Sequence, residues 1–297
     1  MRKEIAITCA ALLATPLAGS LDAQAAGAAE IPRLSFAEFG WFPVSDDFEA
    51  PKSGPGPVVS DPAHPYYNNQ SDKQPTDRVA DVDNPILQPW VVERLKKSNQ
   101  IVLTGKTPFN PRERCMPGGV PGVDIYSRLR PVYLLQTPKE VVFINEGDAQ
   151  VRHIYLNVPH SKNPKPSWYG ESVGHYEGDT LVVDTIGLNA RTYVDNYFTP
   201  HTEKLHVIER YRMIDEGRTL EVNIHVEDPG AFTMPWNAIQ RYTRVEPGIA
   251  ENKDPLNPIS SSGDAGPMLE VACAENNDVR FFGDGALPIP QADKPDF

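Results

Sequence analysis

The second half of the chain alternates short runs of apolar and polar residues, and this alternation predicts β-strands with one buried face. Turn residues separate the runs; Glu177-Gly178-Asp179 and Asp215-Glu216-Gly217-Arg218 are typical of hairpins, in which glycine accepts a positive φ. The predicted strands are Pro131–Gln136, Glu140–Glu146, Gln150–Asn157, Ser172–Tyr176, Thr180–Thr185, Leu205–Ile214, Thr219–Glu227, Ala238–Val245 and Leu269–Cys273.

So many short strands in a short stretch indicate a mainly β domain over residues 111–297, either an antiparallel barrel of the lipocalin or calycin type or a sandwich. Closure into a barrel is favoured because it removes the exposed edges of a large sheet. On Thr219–Glu227 the apolar positions share one face. We expect the other face, with His225 and Glu227, to meet solvent unless it lines a ligand-filled barrel.

Residues 26–110 precede this domain and are rich in proline, glycine and polar residues, which predicts an irregular arm that wraps over the β domain. Its one helical pattern is Pro89–Lys97, which starts at a proline and spaces its apolar residues for one face. A second polar stretch, residues 251–266, predicts a surface loop.

The first 25 residues have the pattern of a secretory signal peptide. Arg2 and Lys3 precede the apolar stretch Ile5–Leu17, and Ala23-Gln24-Ala25 is a small-x-small cleavage site. No later stretch has the roughly 20 apolar residues that a membrane helix needs. We therefore expect a periplasmic or secreted protein that does not insert into the membrane.

Charge and cysteine content narrow the possible partners. The chain has 28 basic and 40 acidic residues, a net charge of -12, which argues against a nucleic-acid-binding protein. Cys9 lies in the signal segment, so Cys115 and Cys273 remain, and an oxidising compartment favours a disulfide between them. Two free thiols or a nucleophilic cysteine are the alternatives.

Several longer motifs resemble a large, mostly uncharacterised family of secreted bacterial proteins. They are Cys115-Met116-Pro117-Gly118-Gly119-Val120-Pro121, the stretch from Trp168 through Ser172 and Glu177-Gly178-Asp179 to Thr185, and Pro200-His201-Thr202-Glu203-Lys204-Leu205-His206-Val207-Ile208-Glu209-Arg210-Tyr211. The resemblance covers roughly residues 110–280. It implies no particular activity. His175-Tyr176 stands where the family pattern leads us to expect Arg-Trp.

Several standard sites are disfavoured. No short zinc motif occurs, and the nearest set, His201, His206 and Glu209, is split because the last two point to opposite faces of a strand. Ser172 matches Gly-x-Ser-x-Gly, but a hairpin strand follows it instead of the helix of a nucleophile elbow. No glycine-rich fingerprint of a nicotinamide or flavin cofactor is present, so we expect no cofactor.

Acid–base chemistry remains as the candidate. His175 and Asp184 lie on the two arms of one hairpin, where a His-carboxylate contact would suit proton transfer if the register allows it. Glu209 alternates with Arg210, so one of them points inward, as part of a structural ion pair or of a site. The further candidates for catalysis are His153 and His201, and those for substrate binding are Arg191, Tyr193, Tyr197, Trp168 and Trp236.

The sequence therefore predicts a small-molecule site in a β-barrel pocket. One hypothesis is a cofactor-free lyase, isomerase or hydrolase acting on a small polar or aromatic compound. The other is a periplasmic protein that binds such a compound without changing it. The sequence leaves the oligomeric state open.

Overall fold

The protein is a mainly β chain with one α-helix, as the sequence predicts. The computed structural model describes residues 31–36, 40–66, 77–125, 131–145 and 151–244. Within these ranges the helix is α1 (Pro89–Leu103), and the strands are β1 (Trp41–Pro43), β2 (Val132–Gln136), β3 (Glu140–Asn145), β4 (Val151–Leu156), β5 (Glu171–Glu177), β6 (Thr180–Ile186), β7 (His206–Ile214), β8 (Thr219–Glu227) and β9 (Trp236–Arg244). The predicted signal segment, the 251–266 loop and the strand Leu269–Cys273 lie outside the described residues.

The nine strands form one closed barrel in sequence order, and β1 closes it against β9. This confirms the barrel and rules out the sandwich. The antiparallel prediction fails at one place, because β4 and β5 are parallel. Residues 157–170 join these two strands, and a connection of this length can bring the chain back to the starting end, as a parallel pair requires.

Strand alternation sends one face of each strand into the barrel. On β8 the predicted apolar face, Leu220 to Val226, is buried, and the polar face that carries His225 and Glu227 is on the outside. On β7 the buried positions include Val207, Glu209 and Tyr211. The outer face of β8 is thus a solvated sheet face, not a ligand-facing wall.

The structure extends the prediction for the N-terminal half in two places. Helix α1 continues to Leu103, six residues beyond the predicted end, because Val102 is buried about two turns after Leu95, beyond the polar stretch that hid the pattern. Strand β1, which was not predicted, has only three residues and comes from the arm. Beyond β1, Glu49 forms a bridge with Ile239 of β9. No helix in the described ranges is long and apolar enough to cross a membrane.

A charged pair lies in the interior of the barrel. Arg152 of β4 and Glu209 of β7 are 2% and 0% exposed, and the guanidinium meets the carboxylate through two nitrogens. Removing two charges from water is costly, and the cost is offset only when every remaining donor and acceptor is satisfied.

Neighbouring strands satisfy this pair. Arg152 also donates through Nε to Ser172 Oγ of β5 at 3.2 Å and through Nη2 to Thr185 Oγ1 of β6 at 2.9 Å. The hydroxyl of Tyr211 donates to Glu209 Oε1 at 2.8 Å. One guanidinium therefore connects four consecutive strands of the barrel through side chains alone.

We expect Arg152→Met to destabilise the protein by about 3–5 kcal/mol, because it leaves Glu209 buried without its partner. Equilibrium unfolding in urea measures this loss. Arg210→Met is the matched control, since Arg210 pairs with Glu177 on the exposed outer wall and exposed pairs contribute little. A loss in Arg152→Met no larger than in Arg210→Met would contradict the interpretation.

Candidate functional site

A cleft opens where the chain leaves β6 and returns to β7. It lies between the N-terminal arm and the connection 187–205 and has a volume of about 190 Å³. We call it the polar cleft. The described residues that line it are Asp46, Asp77, Arg78, Asn110, Arg112, Tyr193, Asp195, Asn196 and Phe198.

Asp195 is a titratable group of this cleft that the backbone holds in place. Its Oδ1 accepts hydrogen bonds from the backbone N–H groups of Tyr197 at 2.9 Å and Thr199 at 3.1 Å. The carboxyl group is buried, and the side-chain hydroxyl of Thr199 also contacts it. Burial raises the pKa of Asp195 from 3.8 to about 6. This carboxyl group can therefore take up or release a proton near neutral pH.

Arg78 supplies a buried cation to the same cleft. The side chain is held by an ion pair between Nε and Asp47 Oδ1 at 2.6 Å, and the guanidinium lies over the ring of Tyr66 at 4.2 Å. Burial lowers its pKa, but the charge of Asp47 outweighs this and the pKa is raised. Its Nη2 has no hydrogen-bond partner among the described residues.

A buried 3₁₀ turn, Gly122–Ile125, lies between the polar cleft and the barrel interior. On the cleft side the amide nitrogen of Asn196 donates to the carbonyl oxygen of Ile125 at 2.9 Å. On the interior side Gln240 donates to the carbonyl oxygen of Asp124 at 2.9 Å. Gly122 has no room for a side chain, because a Cβ would lie 2.5 Å from the carbonyl oxygen of Tyr193.

The barrel interior holds a pair of carboxyl groups, Asp124 and Glu209, whose pKa values are shifted in opposite directions. Burial raises the pKa of Asp124 well above 3.8, and the charge of Glu209 raises it further. For Glu209 burial acts in the same direction, but the charge of Arg152 outweighs it and the pKa is lowered. Tyr211 bridges the two, with its hydroxyl 3.3 Å from Asp124 Oδ1 and 2.8 Å from Glu209 Oε1. The pKa values of Asp124 and Glu209 are therefore shifted in opposite directions.

The space beside this interior pair is small. Asp124 and Arg152 line a cavity of about 10 Å³ together with Val123, Val132, Phe143, Asn145 and Tyr169. A volume of this size holds about one water molecule. Because a larger compound does not fit there, the polar cleft is the better candidate for a ligand site.

The predicted catalytic hairpin does not assemble. His175 pairs with Val182 across β5 and β6, while Asp184 pairs with Val173, so His175 and Asp184 are two positions out of register. His175 is exposed and contacts Glu177 at 3.0 Å instead. His153 is also on the outer wall, 3.2 Å from Glu140.

Asp184 belongs to a row of histidines and carboxylates on the outer wall, which we call the imidazole row. Its contacts run from Glu171 to His160 at 3.1 Å, from His160 to Asp184 at 2.9 Å, from Asp184 to His206 at 3.0 Å, from His206 to Glu227 at 3.6 Å and from Glu227 to His225 at 2.9 Å. The contact with His206 lowers the pKa of Asp184, and the contact with Asp184 raises the pKa of His206.

The three residues that the sequence offered as a possible metal site, His201, His206 and Glu209, do not lie together. His206 is on the outer wall and Glu209 is inside the barrel, as the alternation of the strand predicts. His201 is buried, 2.9 Å from both Thr192 Oγ1 and the carbonyl oxygen of Thr202, and burial lowers its pKa. Across the described ranges no group of three or more histidine, cysteine or acidic side chains is placed to hold a metal ion.

The candidates for substrate binding divide between the cleft and the core. Tyr193 lines the polar cleft, and its hydroxyl donates to the carbonyl oxygen of Phe109 at 2.9 Å. Tyr197 is buried with its hydroxyl 3.1 Å from Ser60 Oγ. Trp236 is a core residue against Phe232. Arg191 is exposed and Trp168 is half-buried, and neither lines the polar cleft.

Two other sequence predictions have separate outcomes. Ser172 lies within β5 and contacts Arg152 and Thr185, so the Gly-x-Ser-x-Gly match is not a nucleophile elbow. The pairing of Cys115 with Cys273 stays a prediction, because Cys273 lies outside the described residues.

Sequence reasoning missed Asp195, Arg78 and Arg112 in the cleft and Arg152 and Asp124 in the interior. Asp195 and Arg78 occur in irregular segments without any periodic pattern. Arg152 had a usable signal, because it alternates with the exposed positions of a predicted strand and an inward Glu209 needs a cation.

A scan of the sequence against protein-family models finds no match, and a search of curated proteins finds none either.

We expect Asp184→Asn to lower the pKa of His206 towards its ordinary value, because the substitution removes the carboxylate charge that favours the imidazolium. NMR titration of the histidine ring protons measures the change. Asp179→Asn, in the exposed turn after β5, is the matched control and should leave His206 unchanged. If the pKa of His206 is unchanged in Asp184→Asn, the two side chains do not interact as described.

Asp195 should make stability depend on pH in a defined direction. Its pKa in the folded state is raised from 3.8 to about 6, so the folded state binds the proton more tightly than the unfolded state does. The protonated carboxyl group therefore contributes to the free energy of unfolding at low pH, and this contribution is lost as the pH rises from about 4 to about 6. We expect Asp195→Asn to gain up to about 3 kcal/mol over wild type at pH 8 and little at pH 3.5. Urea unfolding at the two pH values tests this. If the variant and the wild type differ in unfolding free energy by the same amount at both pH values, the pKa of Asp195 is not raised in the folded state.

Proposed function

We propose that the protein is a cofactor-free enzyme that uses acid–base chemistry on a small polar compound bound in the polar cleft. The observation that carries the proposal is the Asp195 carboxyl group, which lines the cleft, has one oxygen held by two backbone N–H groups, and has a pKa raised to about 6. A lyase, an isomerase or a hydrolase would each need such a group.

In the proposed mechanism Asp195 acts as the general base or acid. Because Oδ1 is held by two backbone N–H groups, Oδ2 keeps a constant direction and does not need to reorganise during proton transfer. A general base works best when its pKa lies close to the working pH, and burial brings Asp195 into that range.

Negative charge that develops on the substrate would be stabilised by the guanidinium groups of the cleft. Arg78 lines the cleft, and it is held in place by Asp47 and Tyr66. Arg112 is oriented by its contact with Asn196 Oδ1. Donors that are fixed before the substrate arrives stabilise such charge more than mobile ones do.

A non-catalytic binding protein is the second candidate. The observation that favours it is that the cleft cations already have partners, Asp47 for Arg78 and Asn196 for Arg112, which reduces the positive potential left for a transition state. In that case Asp195 serves only as a hydrogen-bond acceptor for the ligand. The proposed compartment, periplasmic or secreted, rests on the N-terminal sequence for both candidates.

The test combines a ligand screen with isosteric variants. Compounds that raise the melting temperature of the wild-type protein are incubated with it, and NMR follows their conversion. For an enzyme, Asp195→Asn should still bind the compound but lose about 10²- to 10⁴-fold in rate, and the wild-type rate should change through about pH 6.

Asp179→Asn, the same substitution on the surface, should keep the wild-type rate. Binding without conversion of any compound, or conversion by Asp195→Asn at the wild-type rate, would overturn the enzymatic proposal. The first result would support the binding protein.

A further inference from the structure

Away from the polar cleft, the imidazole row gathers three of the seven histidines of the chain on the outer wall. The members of the row, in order of contact, are Glu171, His160, Asp184, His206, Glu227 and His225. They come from four consecutive strands, β5 to β8, and from the connection 157–170 that joins β4 to β5. The row therefore links the outside of the barrel to a segment that is not itself a barrel strand.

Both ring nitrogens of His160 face carboxylates, and the two carboxylates belong to different strands. Nδ1 is 3.1 Å from Glu171 Oε1 of β5, and Nε2 is 2.9 Å from Asp184 Oδ1 of β6. A neutral imidazole has one N–H group, whereas the imidazolium has two. Only the charged form of His160 can therefore donate a hydrogen bond to both strands at once.

His206 of β7 has a similar arrangement. Its Nε2 is 3.0 Å from Asp184 Oδ1, and its Nδ1 is 3.6 Å from Glu227 Oε2 of β8. The hydrogen bond to Asp184 raises the pKa of His206, burial partly opposes this, and the charges of Asp184 and Glu227 add to the increase. The surrounding carboxylates thus favour the imidazolium form of His206.

The carboxylates beside His206 stay ionised while it titrates. The hydrogen bond from His206 is the largest effect on Asp184 and lowers its pKa below 3.8. The hydrogen bond from His225 is the largest effect on Glu227 and lowers its pKa below 4.5. Between these low values and the raised pKa of His206, the row contains opposite charges in contact.

The histidines supply the positive charge of the row. His225 completes it, with Nε2 2.9 Å from Glu227 Oε1 and Nδ1 2.8 Å from the uncharged Asn237 of β9. Within the described ranges none of the three carboxylates forms an ion pair with a lysine or an arginine. When the three histidines are neutral, the three carboxylates therefore lack counter-charges and repel one another.

The segment that the row holds, the connection 157–170, has few other attachments to the barrel. No residue from 157 to 168 is buried, so apolar packing contributes little there. Next to His160, the backbone N–H of Ser161 donates to Glu171 Oε1 at 2.6 Å. A segment of this kind opens locally at a low cost in free energy, so a modest electrostatic change can shift its opening.

The connection 157–170 is also paired with the connection 187–205, which lines the polar cleft. The N–H group of Ser167 donates to the carbonyl oxygen of Gly187 at 3.0 Å. The N–H group of Asn189 donates to the carbonyl oxygen of Ser167 at 2.8 Å. Loosening of the first connection would therefore reach the start of the second.

We propose that the imidazole row is a pH-sensitive clasp, which fastens the connection 157–170 to the barrel while its histidines are charged and loosens it when they are neutral. The raised pKa of His206 gives the direction: the clasp is closed below about pH 6.5 and opens as the pH rises through the higher value of the folded state. This inference concerns the outer wall and does not depend on the function proposed above.

The test is amide hydrogen exchange of the full-length protein, followed by NMR at pH 5.5 and pH 8.0. Exchange rates are divided by the intrinsic rates at each pH to give protection factors. We expect the amides of Ser161, Ser167 and Asn189 to be about threefold or more better protected at pH 5.5, the size expected for a few partly exposed ion pairs. The amide of Arg218 is the reference, because its turn lies at the opposite end of β7 from His206.

Two variants locate the effect in the row. His160→Gln removes the charge that joins two strands, and Asp184→Asn removes the carboxylate that His160 and His206 share. Each should remove the pH dependence of protection in the connection 157–170. His153→Gln is the matched control and should keep it, because His153 is exposed on β4 and contacts Glu140 outside the row. If one variant misfolds, the other still provides the test.

Three results would overturn the clasp. The first is equal protection of the three amides at both pH values in the wild-type protein. The second is an unchanged pH dependence in His160→Gln and Asp184→Asn. The third is loss of the pH dependence in His153→Gln as well, which would assign it to the overall histidine charge and not to the row.

Discussion

The ion pair between Arg152 and Glu209 is the interaction on which the barrel interior depends. Both groups are removed from water, so each needs the other, and the guanidinium needs hydroxyl acceptors as well. Those acceptors, Ser172 and Thr185, come from the two strands between β4 and β7. A shift of any of these strands by one residue would turn an essential partner to the outer wall and leave a buried charge unsatisfied. The pair therefore fixes the register of this half of the barrel, including the parallel junction of β4 and β5.

The same fold provides two environments for a perturbed carboxyl group. Asp124 is enclosed beside a space for one water molecule, and burial together with the charge of Glu209 raises its pKa. Asp195 is equally buried but faces an opening of about 190 Å³. The turn Gly122–Ile125 divides the two. Both carboxyl groups have a raised pKa, but a small molecule can approach only the one that lies beside an open cleft. This difference supports the assignment of the polar cleft as the site.

The sequence was sufficient for the elements and insufficient for the site. Alternation identified eight of the barrel strands, and on β8 it identified the buried face correctly. It also showed that Glu209 and Arg210 point in opposite directions. The sequence does not predict the register of neighbouring strands, because no local pattern fixes it. In the observed register His175 and Asp184 are apart, and Asp184 lies beside His206. The cleft was beyond prediction for another reason, because its groups come from irregular segments that only the wrapped arm brings together.

The closure of the barrel by β1 has a consequence for how the chain folds. Strand β1 is three residues long, and its partner β9 begins almost 200 residues later, at Trp236. Until β9 has been synthesised, β1 has only β2 as a neighbour and the barrel cannot close. Contacts of such sequence separation form slowly, since a long loop must close first. Strand β1 therefore also protects the edge of β9. If β1 is displaced, the backbone groups of β9 are unpaired, and an unpaired strand edge can bind strands from other molecules.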